Sequence, residues 1–178
     1  MKYLKKIDLK DNICILYNEN SILVKTGNID KVLCNEYCSA PSINNNEDKL
    51  VYISPMEWEE IAKLMIYDIQ DNILKEIEIN EIPDQYTIKK VTWLDEKKLI
   101  MIVGFANGTV TVGGDIFIYD IDSKEYNNIY KSLDREEVKN FDLKGDMLEM
   151  EVVTFDEDFN RYSTRKESIK IRHREVML

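Results

Sequence analysis

Histidine occurs once in these 178 residues, cysteine and proline three times each, and glycine six times. Each scarcity removes a class of function. A Ser-His-Asp or Cys-His mechanism would have to use the lone His173, because such a nucleophile needs a base within hydrogen-bond reach. His173 stands between Arg172 and Arg174, which disfavour its charged form, and close to the chain end, where a preorganised pocket is hard to build. The odd set Cys14, Cys34 and Cys38 is too small for a disulfide framework, and the three lie in apolar or mixed runs as buried thiols do. With His173 they could supply a Cys3His zinc set. No tight turn separates Cys34 from Cys38, however, so no metal or other cofactor is expected.

Long apolar runs are missing too. Nowhere do ~18 uncharged apolar residues follow one another, as a membrane-spanning helix requires. The basic start Met1-Lys2-Tyr3-Leu4-Lys5-Lys6 has no apolar stretch behind it of the kind a signal peptide carries. Together with the thiols, this gives a cytoplasmic location as the expectation. Clustered positive charge is absent as well: the net charge is −10, divided −6 and −4 between the halves. A nucleic-acid partner or an anionic membrane surface is therefore excluded as an expectation, since both rely on clustered Lys and Arg.

What is present is an ordinary globular balance, 44% apolar and 33% charged, in a chain of one-domain length. A domain of this size buries roughly 70% of its unfolded surface and needs no cross-links. The apolar runs are short, rich in Ile, Val and Tyr, and bounded by Asn, Asp, Gly or Glu, which is the pattern of strands and turns. Ile13 to Tyr17, Ile22 to Val24 and Val32 to Cys34 make a meander.

Self-similarity follows downstream. Leu64-Met65-Ile66-Tyr67-Asp68-Ile69 matches Ile116-Phe117-Ile118-Tyr119-Asp120-Ile121 at an offset of 52. The strands before them, around Leu50 and Leu99, are offset by 49, and a third copy starts around Leu148 after a further 49. Units of ~40–50 residues with three or four antiparallel strands are propeller blades. The fold expected is all-β: a single domain over 1–178 forming a small propeller-like array of about four antiparallel blades, at 10–35, 36–80, 87–133 and 136–172. Residues 1–9 serve as a closing strand that could pair with 175–178. The competing fold is α+β, with a helix over 55–69 on an antiparallel sheet. Ser54-Pro55-Met56-Glu57 has the chemistry of a helix start, and Trp58, Ile61, Ala62, Met65 and Ile69 continue at helical spacing. The match between Leu64–Ile69 and Ile116–Ile121 favours a short helical turn near 56–61 followed by a strand.

The repeats, with Val91-Thr92-Trp93-Leu94-Asp95 and Gly113-Gly114-Asp115-Ile116-Phe117-Ile118-Tyr119-Asp120, resemble TolB-type propeller blades. Ile53-Ser54-Pro55-Met56-Glu57-Trp58-Glu59, taken with Gly108-Thr109-Val110 and Gly113-Gly114, resembles a bacterial domain-of-unknown-function family from Gram-positive spore formers. The resemblance covers about residues 45–155. It implies a propeller-like fold and assigns no activity.

Candidate sites are few. Four of the six glycines lie in the stretch from Gly104 to Gly114. This stretch lacks the Gly-Lys-Ser/Thr ending and following helix of a nucleotide loop, so a structural hairpin is the favoured reading. Asp156, Asp158, Asn160, Thr164 and Glu167 fall at calcium-loop spacing, but Arg161 stands where that loop requires glycine, and a solvated acidic turn is preferred. Glu57 and Glu59 beside Trp58 could form a partner-binding or sugar-stacking loop. The function expected is a non-catalytic binding or protein-interaction module. It would hold a protein or small-molecule ligand at loops 54–62 and 104–114, using Glu57, Trp58, Glu59, Asn107, Gly108, Thr109, Gly113 and Gly114. The competing reading is a hydrolase acting through paired carboxylates on a neutral, glycoside-like substrate. Open sheet edges make a homodimer compatible with this architecture.

Overall fold

The computed structural model describes residues 5–27, 29–57, 60–107 and 113–171. It is all-β, apart from a short 3-10 turn at Lys10–Asn12. Four antiparallel sheets follow one another along the chain, each with its strands in sequence order. The first holds β1 (Lys5–Asp8), β2 (Ile13–Asn18), β3 (Ser21–Thr26) and β4 (Ile29–Cys34); the second holds β5 (Ser42–Ile43), β6 (Lys49–Ser54), β7 (Lys63–Asp68) and β8 (Ile73–Ile77). The third holds β9 (Tyr86–Trp93), β10 (Lys98–Phe105), β11 (Asp115–Asp120) and β12 (Tyr126–Tyr130). The fourth holds β13 (Glu136–Lys144), β14 (Met147–Phe155) and β15 (Tyr162–Lys170). Residues 5–8, from the segment expected to close the array, pair with β2 inside the first sheet. Residues 175–178 lie outside the described residues.

The alternation of side chains along a strand explains how the sheets stack. Successive residues point to opposite faces, so a strand buried on both faces reads as a continuous apolar run. In β6, Leu50 and Tyr52 enter the core shared with the first sheet, whereas Val51 and Ile53 enter the core shared with the third. In β10, Leu99, Met101 and Val103 face the second sheet, and Ile100 and Ile102 face the fourth. Three apolar cores thus lie between consecutive sheets. Among the described residues, none of these clusters joins the first sheet to the fourth.

The two end faces differ. On the outer face of the fourth sheet Asp142 pairs with Glu149 and Glu151 with Lys166, while Leu148, Met150 and Val152 turn inward. A polar outer face is what a terminal repeat needs in water. On the first sheet Leu16, Leu23 and Val32 stand side by side across β2, β3 and β4, facing away from the core, and Val32 is 59% exposed.

The repeat offsets become strand register. Leu50 faces Tyr67, and Leu99 faces Tyr119, at equivalent places in the second and third sheets. The helix considered for 55–69 is not formed: Lys63–Asp68 is the strand β7. Of the helical turn expected near 56–61, Met56, Glu57, Glu60 and Ile61 carry no helical assignment, the Glu60 N–H approaches the Glu57 carbonyl at 3.4 Å, and Trp58 and Glu59 lie outside the described residues. Ser54 has the right chemistry to cap a helix, but its hydroxyl donates to Glu36 Oε1 at 2.9 Å, with a longer contact to the Tyr37 carbonyl at 3.3 Å. A tertiary partner has displaced the local one.

Candidate functional site

A groove of about 400 Å³ lies between the second and third sheets. Its floor is the apolar set Leu64, Ile79 and Ile88, all buried. Its lips are Ile61, 46% exposed, and Tyr86, 40% exposed. Both lips are held by backbone chemistry. The Ala62 N–H donates to Thr87 Oγ1 at 2.8 Å, the Tyr86 N–H donates to the Pro83 carbonyl at 2.8 Å, and the Tyr86 ring meets Phe105 edge-on at 5.8 Å. One wall is β8, the last strand of its sheet, which pairs with β7 on one side.

The groove is ringed by carboxylates. Glu76 is paired with Lys63 at 3.0 Å. The exposed Glu78 and Asp84, which also line the groove, form no ion pair among the described residues. Glu76 and Glu78 also border an adjoining recess that reaches Lys124 of the third sheet.

The loops singled out in the sequence contribute unequally. Ile61 and Ala62, at the end of the first, form a lip, and Phe105 and Ala106, at the start of the second, support the other through the Tyr86 ring and the Gln85 carbonyl. Glu57 and Asn107 are exposed. Trp58, Glu59, Gly108 and Thr109 lie outside the described residues, as does His173. Gly113 and Gly114 lie at the junction of the third and fourth sheets. Gly114 and Val138 exchange backbone hydrogen bonds of 3.1 and 2.9 Å, and a Cβ on Gly114 would come within 2.1 Å of the Val103 carbonyl oxygen. These glycines permit backbone contact.

The calcium-type spacing does not become a cage. Asp156 caps the β14–β15 turn, its Oδ1 accepting from the Asn160 N–H at 2.8 Å. Glu167 lies farther along β15, opposite Met150, and is engaged elsewhere. The described residues contain no group of three or more acidic, His or Cys side chains placed to hold a metal.

Glu167 belongs to a network that the sequence did not disclose. Arg165 bonds Glu136 through both terminal guanidinium nitrogens at 2.7 and 2.9 Å and Glu167 through Nε at 2.6 Å. Tyr130 donates to the other oxygen of Glu167 at 2.8 Å. The Arg165 hydrogen bonds hold Glu136 below the usual carboxylate range; for Glu167 the Tyr130 bond is the larger cause and Arg165 the second. Burial, followed by the bond to Glu167, pushes the Tyr130 hydroxyl up to about 12.

Consecutive antiparallel sheets of three or four strands packed face to face define a propeller-type β protein. The chain belongs to the family described as domain of unknown function DUF4652, which matches residues 54–173. No curated protein matches it. Among solved structures it is similar to a candidate conserved lipoprotein from Clostridium novyi NT, at 18% identity and TM-score 0.70, covering 76% of this chain and 88% of that one. It is also similar to the β-propeller domain of the Trilobed protease from Pyrococcus furiosus, described as having an open velcro topology, at 16% identity and TM-score 0.55, covering 96% of this chain and 59% of that one. Oligopeptidase B from Trypanosoma brucei matches at 10% identity and TM-score 0.60, covering 91% of this chain and 26% of that one. The chain therefore spans most of the lipoprotein but a little over half and about a quarter of the other two.

The cytoplasmic location is corrected by the first of these matches. The same fold occurs in a protein described as a lipoprotein, so three thiols and a start without an apolar stretch do not set the compartment. No helix of the described residues is long and apolar enough to cross a membrane.

Proposed function

We propose that the chain is a non-catalytic binding module whose groove between the second and third sheets takes an extended segment of a partner protein, one that carries apolar and cationic side chains in alternation. The observation that carries this reading is an apolar floor flanked by the carboxylates Glu78 and Asp84 beside the open edge of β8. An edge strand offers main-chain hydrogen bonds to an added strand. Alternate side chains of such a strand would enter the apolar floor, and those between them would meet the carboxylates. The net charge of −10 favours the approach of a basic partner.

The hydrolase reading has weaker support. A glycosidase pair needs one carboxyl that can give up a proton. Arg165 sits between Glu136 and Glu167 and favours ionisation of both, which suits a structural tie better than acid catalysis.

The test uses fluorescent peptides of alternating Leu and Lys, alongside charge-reversed peptides of Leu and Glu, titrated against the full chain by anisotropy. The basic peptide is expected to bind and the acidic one to fail. Glu78→Lys combined with Asp84→Lys should weaken binding at least about tenfold, and Ile61→Asp should do so independently. Binding that ignores these substitutions, or no binding of the basic peptide, removes the reading.

A further inference from the structure

Tyr37 and Met56 are large side chains that the fold leaves exposed, at 50% and 42%. Tyr37 stands on the β4–β5 loop and Met56 on the β6–β7 loop, and the Met56 N–H donates to the Tyr37 carbonyl at 2.9 Å. Their backbones are pinned nearby. The Ser39 N–H donates to the Ile53 carbonyl and the Ser39 hydroxyl accepts from the Ile53 N–H, both at 3.0 Å, while the Cys38 N–H donates to the Glu19 carbonyl at 3.0 Å. Side chains presented on a fixed backbone lose little freedom when a partner covers them. Tyr and Met are also enriched in protein interfaces.

The pair is continuous with the groove. The β6–β7 loop that carries Met56 also carries the groove lip Ile61, and the next residue, Ala62, is bonded to Thr87 beside the opposite lip Tyr86. Tyr37, Met56, Ile61 and Tyr86 thus follow one another across the first, second and third sheets, on the side where these loops emerge. Between Met56 and Ile61, Glu57 and Glu60 are exposed and form no ion pair among the described residues. Neither 35–41 nor 54–62 contains a Lys or Arg, so the path out of the groove is acidic along its length.

We infer that the partner segment runs beyond the groove, over the β6–β7 loop, to a second apolar subsite formed by Tyr37 and Met56. The inference rests on the groove being the place where that segment binds. Cationic side chains of the continuation meet Glu57 and Glu60, and an apolar or aromatic side chain beyond them lies against Tyr37 and Met56. Length is then part of recognition. A segment that fills the groove alone leaves the second subsite empty, whereas one that spans both gains from the high effective concentration of its tethered end.

The experiment titrates the full chain with fluorescent peptides by anisotropy. The short peptide alternates Leu and Lys over about six residues, ~20 Å when extended. Two long peptides add about six residues more, Lys first and then Leu and Phe, at the amino end in one and at the carboxyl end in the other, since a bound segment runs in one direction. Control peptides carry Gly and Ser in the added part. One long peptide is expected to bind at least about tenfold tighter than the short one, and the controls to gain nothing. Tyr37→Ser combined with Met56→Ser should reduce that long peptide to the affinity of the short one and leave the short one unchanged, which also shows that the variant is folded. Equal binding of short and long peptides, or a gain that survives the double substitution, overturns the second subsite and leaves the groove reading standing. Failure of the short peptide overturns the groove reading and this inference with it.

Discussion

Tyr130 reaches from the last strand of the third sheet to donate its hydroxyl to Glu167 on the last strand of the fourth, at 2.8 Å. With Arg165 behind it, this bond ties two sheets together through groups whose protonation matters. Glu136 and Glu167 titrate lower in the folded chain than a free Glu at ~4.3. Their stabilisation is complete above that value and is lost as pH falls through their folded values. Replacing Arg165 by Met is expected to cost about 1–3 kcal/mol near neutral pH, because hydrogen-bonded carboxylates lose their partner. The difference in Tm between wild type and variant should shrink steadily below pH ~4, when both carboxylates become protonated. A difference that stays constant down to acid pH would mean that the tie contributes packing alone.

The alkaline side has the opposite sign. Tyr130 titrates at about 12 when folded, against ~10 for a free Tyr. Its neutral form contributes stability that is complete below ~10 and lost as pH rises towards the folded value. In Tyr130→Phe that alkaline loss should flatten, as read by denaturant midpoints across the range.

At the junction of the third and fourth sheets the backbones leave no room for a methyl group. A Cβ on Gly104 would lie 1.9 Å from the Gly113 carbonyl oxygen. Gly104→Ala and Gly114→Ala are each expected to cost about 1–3 kcal/mol or more by overpacking, or about 2–10 °C in Tm for a chain of this length. A melting temperature within a degree of wild type for either variant would show that the junction yields cheaply.

Adjacent residues of β10 should weaken different interfaces. Leu99 packs toward the second sheet and Ile100 toward the fourth. Substitution of either by Ala should cost about 2–5 kcal/mol. Hydrogen exchange should distinguish the two: Leu99→Ala is expected to lower protection first in β6 and β7, and Ile100→Ala in β13 and β14. Identical maps would show that the stack unfolds as one unit.

The stack was legible in the sequence because its information is local and repeated. The spacing that aligned Leu50 with Leu99, and Tyr67 with Tyr119, is the spacing that places Leu50 against Tyr67 and Leu99 against Tyr119. The helix start at Ser54 was legible too but misleading, since the hydroxyl that would cap it is taken by Glu36 from another part of the chain.

The candidate sites were less legible because they form between units. Nothing near Ile61 in sequence announces Tyr86 as the opposite lip, and Ala62 meets Thr87 only after two sheets have packed. Glu167 was read with Asp156 and Asp158 by spacing alone, yet extended β15 carries it away to Arg165 and Tyr130. Cys34 and Cys38 were set aside as metal ligands because no tight turn separates them. Both enter the core between the first and second sheets, where Cys34 Sγ meets Ser54 Oγ at 3.3 Å.

The mismatch between the two ends of the stack limits what copies of this chain can build. Head-to-tail addition would set the row Leu16, Leu23 and Val32 of one molecule against the acidic face bearing Asp142, Glu149 and Glu151 of the next, burying carboxylates on apolar side chains. A pairing of two copies through this row would instead set like against like about a two-fold axis, using up both copies of that row and ending at a pair.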